Sequence, residues 1–232
     1  SLTKEAVEFL RICVLMKKNL VVSGGTGTGK TTILNTITGL IPNNERVLIL
    51  EDTSEIQAQG EHVVNLETQA PDNEGRGGVT ITDLLHSSLR MRPDRIIIGE
   101  CRGGEALELL NAMNSGHGGS MTTVHANSPT QALQKLETLV LYAGFDLPVH
   151  VIRAMVSMAM EVVIQADRLR DGSRKITHIG EVLPLAKDGN YHTEDVFCFD
   201  FQGSGKDGSV QGQLEMVKPP TWVDQIKPRG ID

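Results

Sequence analysis

The chain has 232 residues, 39% hydrophobic and 22% charged, the balance of an ordinary globular protein large enough to bury a core without disulfide or metal staples. Acidic side chains number 29 against 22 basic ones, a formal charge of −7, which argues against a protein whose main business is coating nucleic acid or an anionic membrane. Cys13, Cys101 and Cys198 are too far apart to form a readable disulfide framework or zinc ribbon and suggest a reducing compartment. No run of about 18 apolar residues occurs, so no transmembrane segment is expected. Ser1 stands where a complete chain has Met and no signal segment follows, so a cytoplasmic piece excised from a longer protein is expected.

In chain order, a helical pattern over Lys4–Met16 leads to a short apolar strand, Leu20–Ser23. Helix Thr31–Thr38, strand Val47–Leu50, helix Thr82–Arg90, strand Ile96–Gly99, helix Gly104–Asn114 and strand Ser120–Val124 follow. Strands alternating with helices imply βαβ units and a mostly parallel sheet covered on both faces. Two more helices are expected, over Thr130–Tyr142 and from Pro148 to about Met160. The ending changes character: Val162–Gln165, Lys175–Ala186 and Tyr191–Gln202 have strand patterns, joined by the turn pairs Asp171-Gly172 and Asp188-Gly189. The fold expected is therefore α/β, with a core over residues 1–165 and a small antiparallel β meander over residues 166–232 within the same structural unit. Gly203–Gly212 is expected to be an exposed loop. Thr68–Val79 is a long polar, glycine-rich connection of the kind that is functional or mobile.

The strand Leu20–Ser23 runs into Gly24-Gly25-Thr26-Gly27-Thr28-Gly29-Lys30-Thr31-Thr32, which satisfies G-x-x-x-x-G-K-[ST]. Glycines let the backbone wrap around phosphate oxygens, the lysine brings a charge to the β and γ phosphates, and the Thr31 hydroxyl reaches Mg²⁺. The helix that follows adds its positive end to the same anion. The motif follows an expected strand and opens an expected helix, the context it requires. A dinucleotide fingerprint fails, because its third glycine would fall on Lys30.

A phosphate loop needs acids at neighbouring strand ends, and two strands supply them: one ends in Glu51-Asp52 with Glu55 following, the other in Glu100. The pattern alone leaves open which acid holds metal and which polarises water.

The segments Gly24–Thr32, Arg46–Glu55, Arg92–Arg102 and Gly116–Asn127 occur in that order. They resemble the Walker A, Asp-box, Walker B and His-box elements of the type II/type IV secretion ATPase superfamily. The text linking them is similar to the tight-adherence pilus assembly branch, the CpaF/TadA type, and the resemblance spans essentially the whole chain. It implies a RecA-like P-loop core and a Mg²⁺-dependent ATPase that works as a homo-hexameric ring at an inner-membrane secretion or pilus platform, cytoplasmic itself. It implies that Gly25–Thr32 bind ATP, that Thr31 and Glu100 hold the Mg²⁺ site, and that Glu51 orients water. By the same resemblance His125 senses the γ-phosphate, and Arg102, with Arg90 and Arg92, contacts phosphate or a neighbouring subunit. These enzymes carry a preceding domain that helps close the nucleotide site; it is absent before Ser1, so slow turnover and weak association are expected of the chain alone.

Plainer readings compete at single residues. His125 by pattern alone is more often a hydrogen-bonded structural histidine, and His117 can cap a helix as readily as face the site. Met155, Met158 and Met160 are expected as core filler. The arginines of Arg90–Arg95 favour phosphate or interface roles over a solvated connector. Two rival functions remain: a P-loop kinase for a small acceptor, which would want an arginine-rich lid, and a RecA-like nucleic-acid motor, which would want a basic groove or stacking aromatics. Aromatic residues make up 3% of this chain, so no nucleic acid is expected as a required partner.

Overall fold

In the computed structural model, which describes residues 2–231, the Thr3 hydroxyl accepts from the Ala6 amide and opens α1 (Lys4–Leu15). Ser1 and Asp232, the outer ends of the two expected segments, lie outside the described residues. The strands and helices then alternate: β1 (Leu20–Gly24), α2 (Lys30–Thr38), β2 (Arg46–Glu51), β3 (His62–Glu67), α3 (Ile81–Ser88), β4 (Arg95–Ile98), α4 (Glu105–Asn114), β5 (Met121–Val124), α5 (Pro129–Leu141) and α6 (Val149–Ala159). Four longer strands close the chain: β6 (Val162–Arg168), β7 (Arg174–Leu183), β8 (His192–Ser204) and β9 (Val210–Met216), before two short 3₁₀ turns.

Among the described residues the strands form one nine-stranded sheet, in the order β3-β2-β4-β5-β1-β6-β7-β8-β9. From β3 through β6 every pairing is parallel, and from β6 through β9 every pairing is antiparallel. The period of two divides the parallel strands between two cores. Val21, Leu48, Leu50, Ile96 and Ile98 pack beneath α3, α4, α5 and α6. Leu20, Val22, Ile49 and Ile97 pack on the other face beneath α1 and α2. Each such Leu or Ile contributes about 1.5–3 kcal/mol by leaving water. The helices are delimited as their ends require: Thr80 and Asp83 form a capping box on α3, and Ser128 caps α5 with Pro129 at its first turn.

Several expectations change. His62–Glu67 forms the edge strand β3, bonded only to β2, and its half-exposed side chains carry too little apolar pattern to announce it. Val162 begins a strand that runs parallel to β1 before the antiparallel meander starts. Gly203–Gly212 is a hairpin rather than a loop: β8 continues to Ser204, turns over, and returns as β9. Gly212 is needed there, at φ 154°, because a Cβ would stand 2.1 Å from the Asp200 carbonyl oxygen. Met160 is core and Met155 is partly buried against it, but Met158 is 73% exposed on the outside of α6.

The arginine cluster before β4 lies at the opposite end of the strands from the phosphate loop, so Arg90, Arg92 and Arg95 cannot serve phosphate within this chain. Arg95 is wholly buried, held by Glu45 through Nε at 2.6 Å and Nη2 at 3.1 Å, and it donates to the Val14 carbonyl. It joins α1 to β4 as a structural ion pair. His117 sits at that same end, where its amide donates to the Ala112 carbonyl, so it does not face the site.

Candidate active site

The carboxyl ends of the parallel strands gather the expected residues. The loop from Gly24 to Gly29 leaves β1 and enters α2 through left-handed backbone at Gly27 (φ 71°) and Gly29 (φ 94°), conformations a side chain would strain. Gly24 is required for closeness: a Cβ there would meet the Ala166 carbonyl oxygen of β6 at 2.4 Å and Thr28 Oγ1 at 2.5 Å. Gly25 is half-buried, and its carbonyl accepts from both Thr28 Oγ1 (3.0 Å) and Lys30 Nζ (3.1 Å), tying the loop into a ring. Thr26 and Gly27 stand exposed at its rim. Lys30, Thr31 and Thr32 form the first turn of α2, whose leading amides have no partner within the helix. Thr31 faces the strand ends, whereas Thr32 is exposed.

From Lys30 a chain of charged groups crosses the sheet. Lys30 Nζ lies 3.1 Å from the Gly25 oxygen and 3.2 Å from His125 Nδ1, just past β5. An ammonium only donates, so Nδ1 accepts and the ring proton sits on Nε2. That Nε2 lies 2.7 Å from Glu100 Oε1. Oε1 is buried and makes no well-formed hydrogen bond, so it retains an open acceptor site. The other oxygen of Glu100 takes a 2.6 Å hydrogen bond from Arg102, whose guanidinium also reaches Asp52 at 3.7 Å. Burial lowers the pKa of Lys30, and the Arg102 charge adds to this while Glu100 opposes it. The Glu100 hydrogen bond raises that of Arg102.

Glu51 ends β2 beside this chain. It is 5% exposed, and its carboxylate accepts from the Ile56 amide at 3.2 Å and the Glu55 amide at 3.2 Å. Gly99 makes room for it, since a Cβ there would fall 2.8 Å from Glu51 Cγ. Burial raises the Glu51 pKa above the usual carboxylate value, and the two amide bonds offset part of that rise. Thr31, Glu51, Asp52, Glu55, Glu100 and Arg102 line one recess of about 170 Å³. A carboxylate with a raised pKa, a second with an open acceptor oxygen, a helix-start hydroxyl and two cations therefore converge beside the glycine-rich loop between β1 and α2.

Two contributors escaped the sequence reading. Glu105 accepts from the backbone amides of Arg102 (2.6 Å) and Gly103 (2.8 Å), which fixes the turn that aims Arg102. An acid in the first turn of a helix after Gly103-Gly104 was the available signal. Arg174 reaches the phosphate loop from β7, with its Cδ 4.0 Å from where a Cβ on Gly29 would stand. No local pattern could announce that contact between residues so far apart in the chain.

The family described as Type II/IV secretion system protein matches residues 2–211. Conjugal transfer protein TrbB of Rhizobium radiobacter is 37% identical over 198 residues, 83% of this chain and 57% of that protein. Type IV secretion system protein VirB11 of Bartonella quintana is 38% identical over 178 residues, 76% of this chain and 49% of that one. Among solved structures, the VirB11 ATPase from the Brucella suis type IV secretion system, in complex with sulphate, is similar with a TM-score of 0.68 and 35% identity, covering 75% of this chain and 51% of that chain. The chain thus spans about half the length of the relatives it matches.

Proposed function

The chain belongs to the type II/IV secretion system protein family, and on that premise we propose that it is the ATP-hydrolysing segment of a ring-forming motor for pilus assembly or protein secretion. The observation that carries this reading is the charged chain Lys30–His125–Glu100–Arg102 running from the phosphate loop across two strand ends, with Glu51 beside it. The site fits Mg²⁺-ATP on its own features: the glycine cradle a Cβ would fill, the free first turn of α2, and the open oxygen of Glu100.

Gly25, Thr26, Gly27, Thr28, Gly29 and Lys30 hold the phosphates in this reading, with Thr32 in the same helical turn. Thr31 and Glu100 hold Mg²⁺, which supplies charge neutralisation on the phosphates when bound. Glu51 orients the attacking water, and a carboxylate with a raised pKa is a better base for that task than an ordinary surface acid. His125 links Lys30 to Glu100 and so relays what occupies the phosphate loop to the metal-holding acid. Arg102 must exchange Glu100 and Asp52 for phosphate oxygen or a neighbouring subunit.

The same reading assigns the finer identity. The chain is of the CpaF/TadA tight-adherence type, the intact protein is a homo-hexamer working in the cytoplasm, and its platform partner sits in the inner membrane. The core over residues 1–165 carries the chemistry and residues 166–232 buttress it. No helix among the described residues is long and apolar enough to cross a membrane.

Two glutamate variants and three turnover conditions test the proposal. Glu51→Gln is expected to keep Mg²⁺-ATP binding and lose hydrolysis, whereas Glu100→Gln weakens Mg²⁺-dependent binding as well. Reversed binding defects overturn the two roles. Turnover is measured with ATP alone, with single-stranded DNA, and with small phosphate acceptors. A several-fold stimulation by DNA that disappears at moderate salt favours a nucleic-acid motor. Phosphorylated acceptor favours a kinase.

A further inference from the structure

On the meander side of β6, the antiparallel strands assemble a second group of chemically distinctive side chains. His178 on β7 lies opposite Cys198 on β8 in the strand register, and Gly180 lies opposite Asp195. Residues 195 and 198 are three apart, so in a regular strand their side chains would point to opposite faces. The ladder is shifted between Ile179 and Gly180, leaving Val196 as an extra, buried residue on β8. That bulge returns Asp195 to the face that carries Cys198 and His178. One ring nitrogen of His178, one carboxylate oxygen of Asp195 and the sulfur of Cys198 all lie within 4.8 Å of one another.

We propose that His178, Asp195 and Cys198 form a binding site for a borderline divalent cation, zinc above all, with a solvent molecule as fourth ligand. The donor set decides the metal class: one thiolate and one imidazole disfavour Mg²⁺ and Ca²⁺, which take oxygen. The charges match, since a thiolate and a carboxylate neutralise a divalent ion beside a neutral imidazole. The spacing matches as well. A sulfur about 2.3 Å and a carboxylate oxygen about 2.0 Å from a tetrahedral zinc are about 3.5 Å apart, and Cys198 Sγ lies 3.6 Å from Asp195 Oδ2. All three residues are half-exposed, leaving access for the ion and for a solvent ligand.

The surroundings orient the imidazole. Thr177 donates its hydroxyl proton to Asp167 Oδ2 on β6, and its oxygen lies 3.1 Å from His178 Nδ1. With its only proton committed to Asp167, the Thr177 oxygen can only accept from Nδ1–H, which leaves the lone pair on Nε2. A carboxylate acting through a hydroxyl to set a histidine tautomer is the arrangement that supports metal-bound imidazoles. Burial, reinforced by the Asp195 charge, pushes the Cys198 thiol up to about 11. The site ties β7 to β8, and Asp167 directly follows Ala166, whose carbonyl abuts Gly24 of the phosphate loop.

The test uses Co²⁺ as a spectroscopic probe and Zn²⁺ as its competitor, on the 232-residue chain. The expected result is one Co²⁺ per chain with a thiolate-to-cobalt charge-transfer band, displaced by stoichiometric Zn²⁺ and untouched by millimolar Mg²⁺. Cys198→Ser and His178→Gln abolish the band, and Asp195→Asn weakens Co²⁺ binding at least about 10-fold, 1.4 kcal/mol by the tenfold rule. Zn²⁺ raises the thermal midpoint of the wild-type chain and not that of Cys198→Ser. Circular dichroism checks that each variant is folded, and Asp195→Asn, which preserves side-chain volume, serves where the others are not. Absence of a thiolate band, its survival in Cys198→Ser, or displacement of Co²⁺ by Mg²⁺ overturns the proposal. The last result would put the ion at the phosphate loop instead.

Discussion

The two halves of the sheet solve different problems. The parallel half, β3 to β6, has short strands that, apart from the half-exposed edge strand β3, are buried on both faces, and each crossover returns the chain so that every strand ends on the same side. That is why Gly24, Glu51, Glu100 and His125, spread over a hundred residues of sequence, come together on one edge. The antiparallel half, β6 to β9, is built from longer, partly exposed strands linked by tight turns, and its contacts are mostly between consecutive strands. It delivers almost nothing to that edge except Arg174 and the Ala166 carbonyl behind Gly24. Chemistry collects where crossovers align strand ends; hairpins instead alternate them and make a buttress.

If the buttress is thermodynamically part of the same unit, damage to its core should destabilise the whole molecule. Phe197 of β8 is fully buried, with its ring centroid 5.5 Å from that of Phe9 on α1. Phe197→Ala is expected to cost about 3–5 kcal/mol, lowering a single unfolding transition seen alike by near- and far-ultraviolet circular dichroism. Two separated transitions would mean that the halves fold independently. The converse experiment removes chemistry and leaves the fold. Lys30→Ala should reduce ATP turnover at least ~100-fold, about 2.7 kcal/mol of barrier, and folded protein with retained turnover would refute the phosphate-loop assignment.

Gly24→Ala probes the seam between the halves. The added methyl meets backbone at 2.4 Å, so either the loop or β6 must shift. A loss of about 1–3 kcal/mol in stability together with weaker nucleotide binding is expected. Unchanged nucleotide affinity would show that the meander does not shape the loop. The smallest effect concerns Glu51. Its folded pKa is raised above the unfolded value, so the native state holds that proton more tightly, and stability falls as pH rises from the ordinary carboxylate value of 4.5 upward. Relative to Glu51→Gln, the wild-type chain should therefore be less stable at pH 7, by about 1 kcal/mol or less, with the gap closing below pH 4.5. A pH-independent difference in chemical denaturation would contradict the assigned burial effect.

What could be read before the structure follows from range. The glycine-rich loop was legible because its pattern is local: glycines, lysine and threonine within nine consecutive residues, between an apolar strand and a helix. Both acidic strand ends were legible for the same reason. The edge strand β3 was not, since an edge strand is half-solvated and carries a weak pattern. The β8–β9 hairpin was missed because glycine normally argues against a strand, whereas Gly212 is required by the Asp200 carbonyl crossing beside it. The arginines before β4 misled through sequence proximity, because a strand only four residues long still separates its two ends by more than a hydrogen bond can span.

The sequence by itself determined the parallel α/β plan, the glycine-rich loop between β1 and α2 and the family, because periodicity and contiguous motifs depend only on neighbours along the chain. Tertiary structure alone decided that Lys30 meets His125, that His125 meets Glu100, that Arg95 is a buried tie rather than a phosphate ligand, and that His178, Asp195 and Cys198 share one face. The physical reason is that such contacts depend on strand order, on which end of a strand a residue occupies, and on where a bulge inserts one extra residue. Those are set by the packing of the whole sheet, and no stretch of neighbouring residues encodes them.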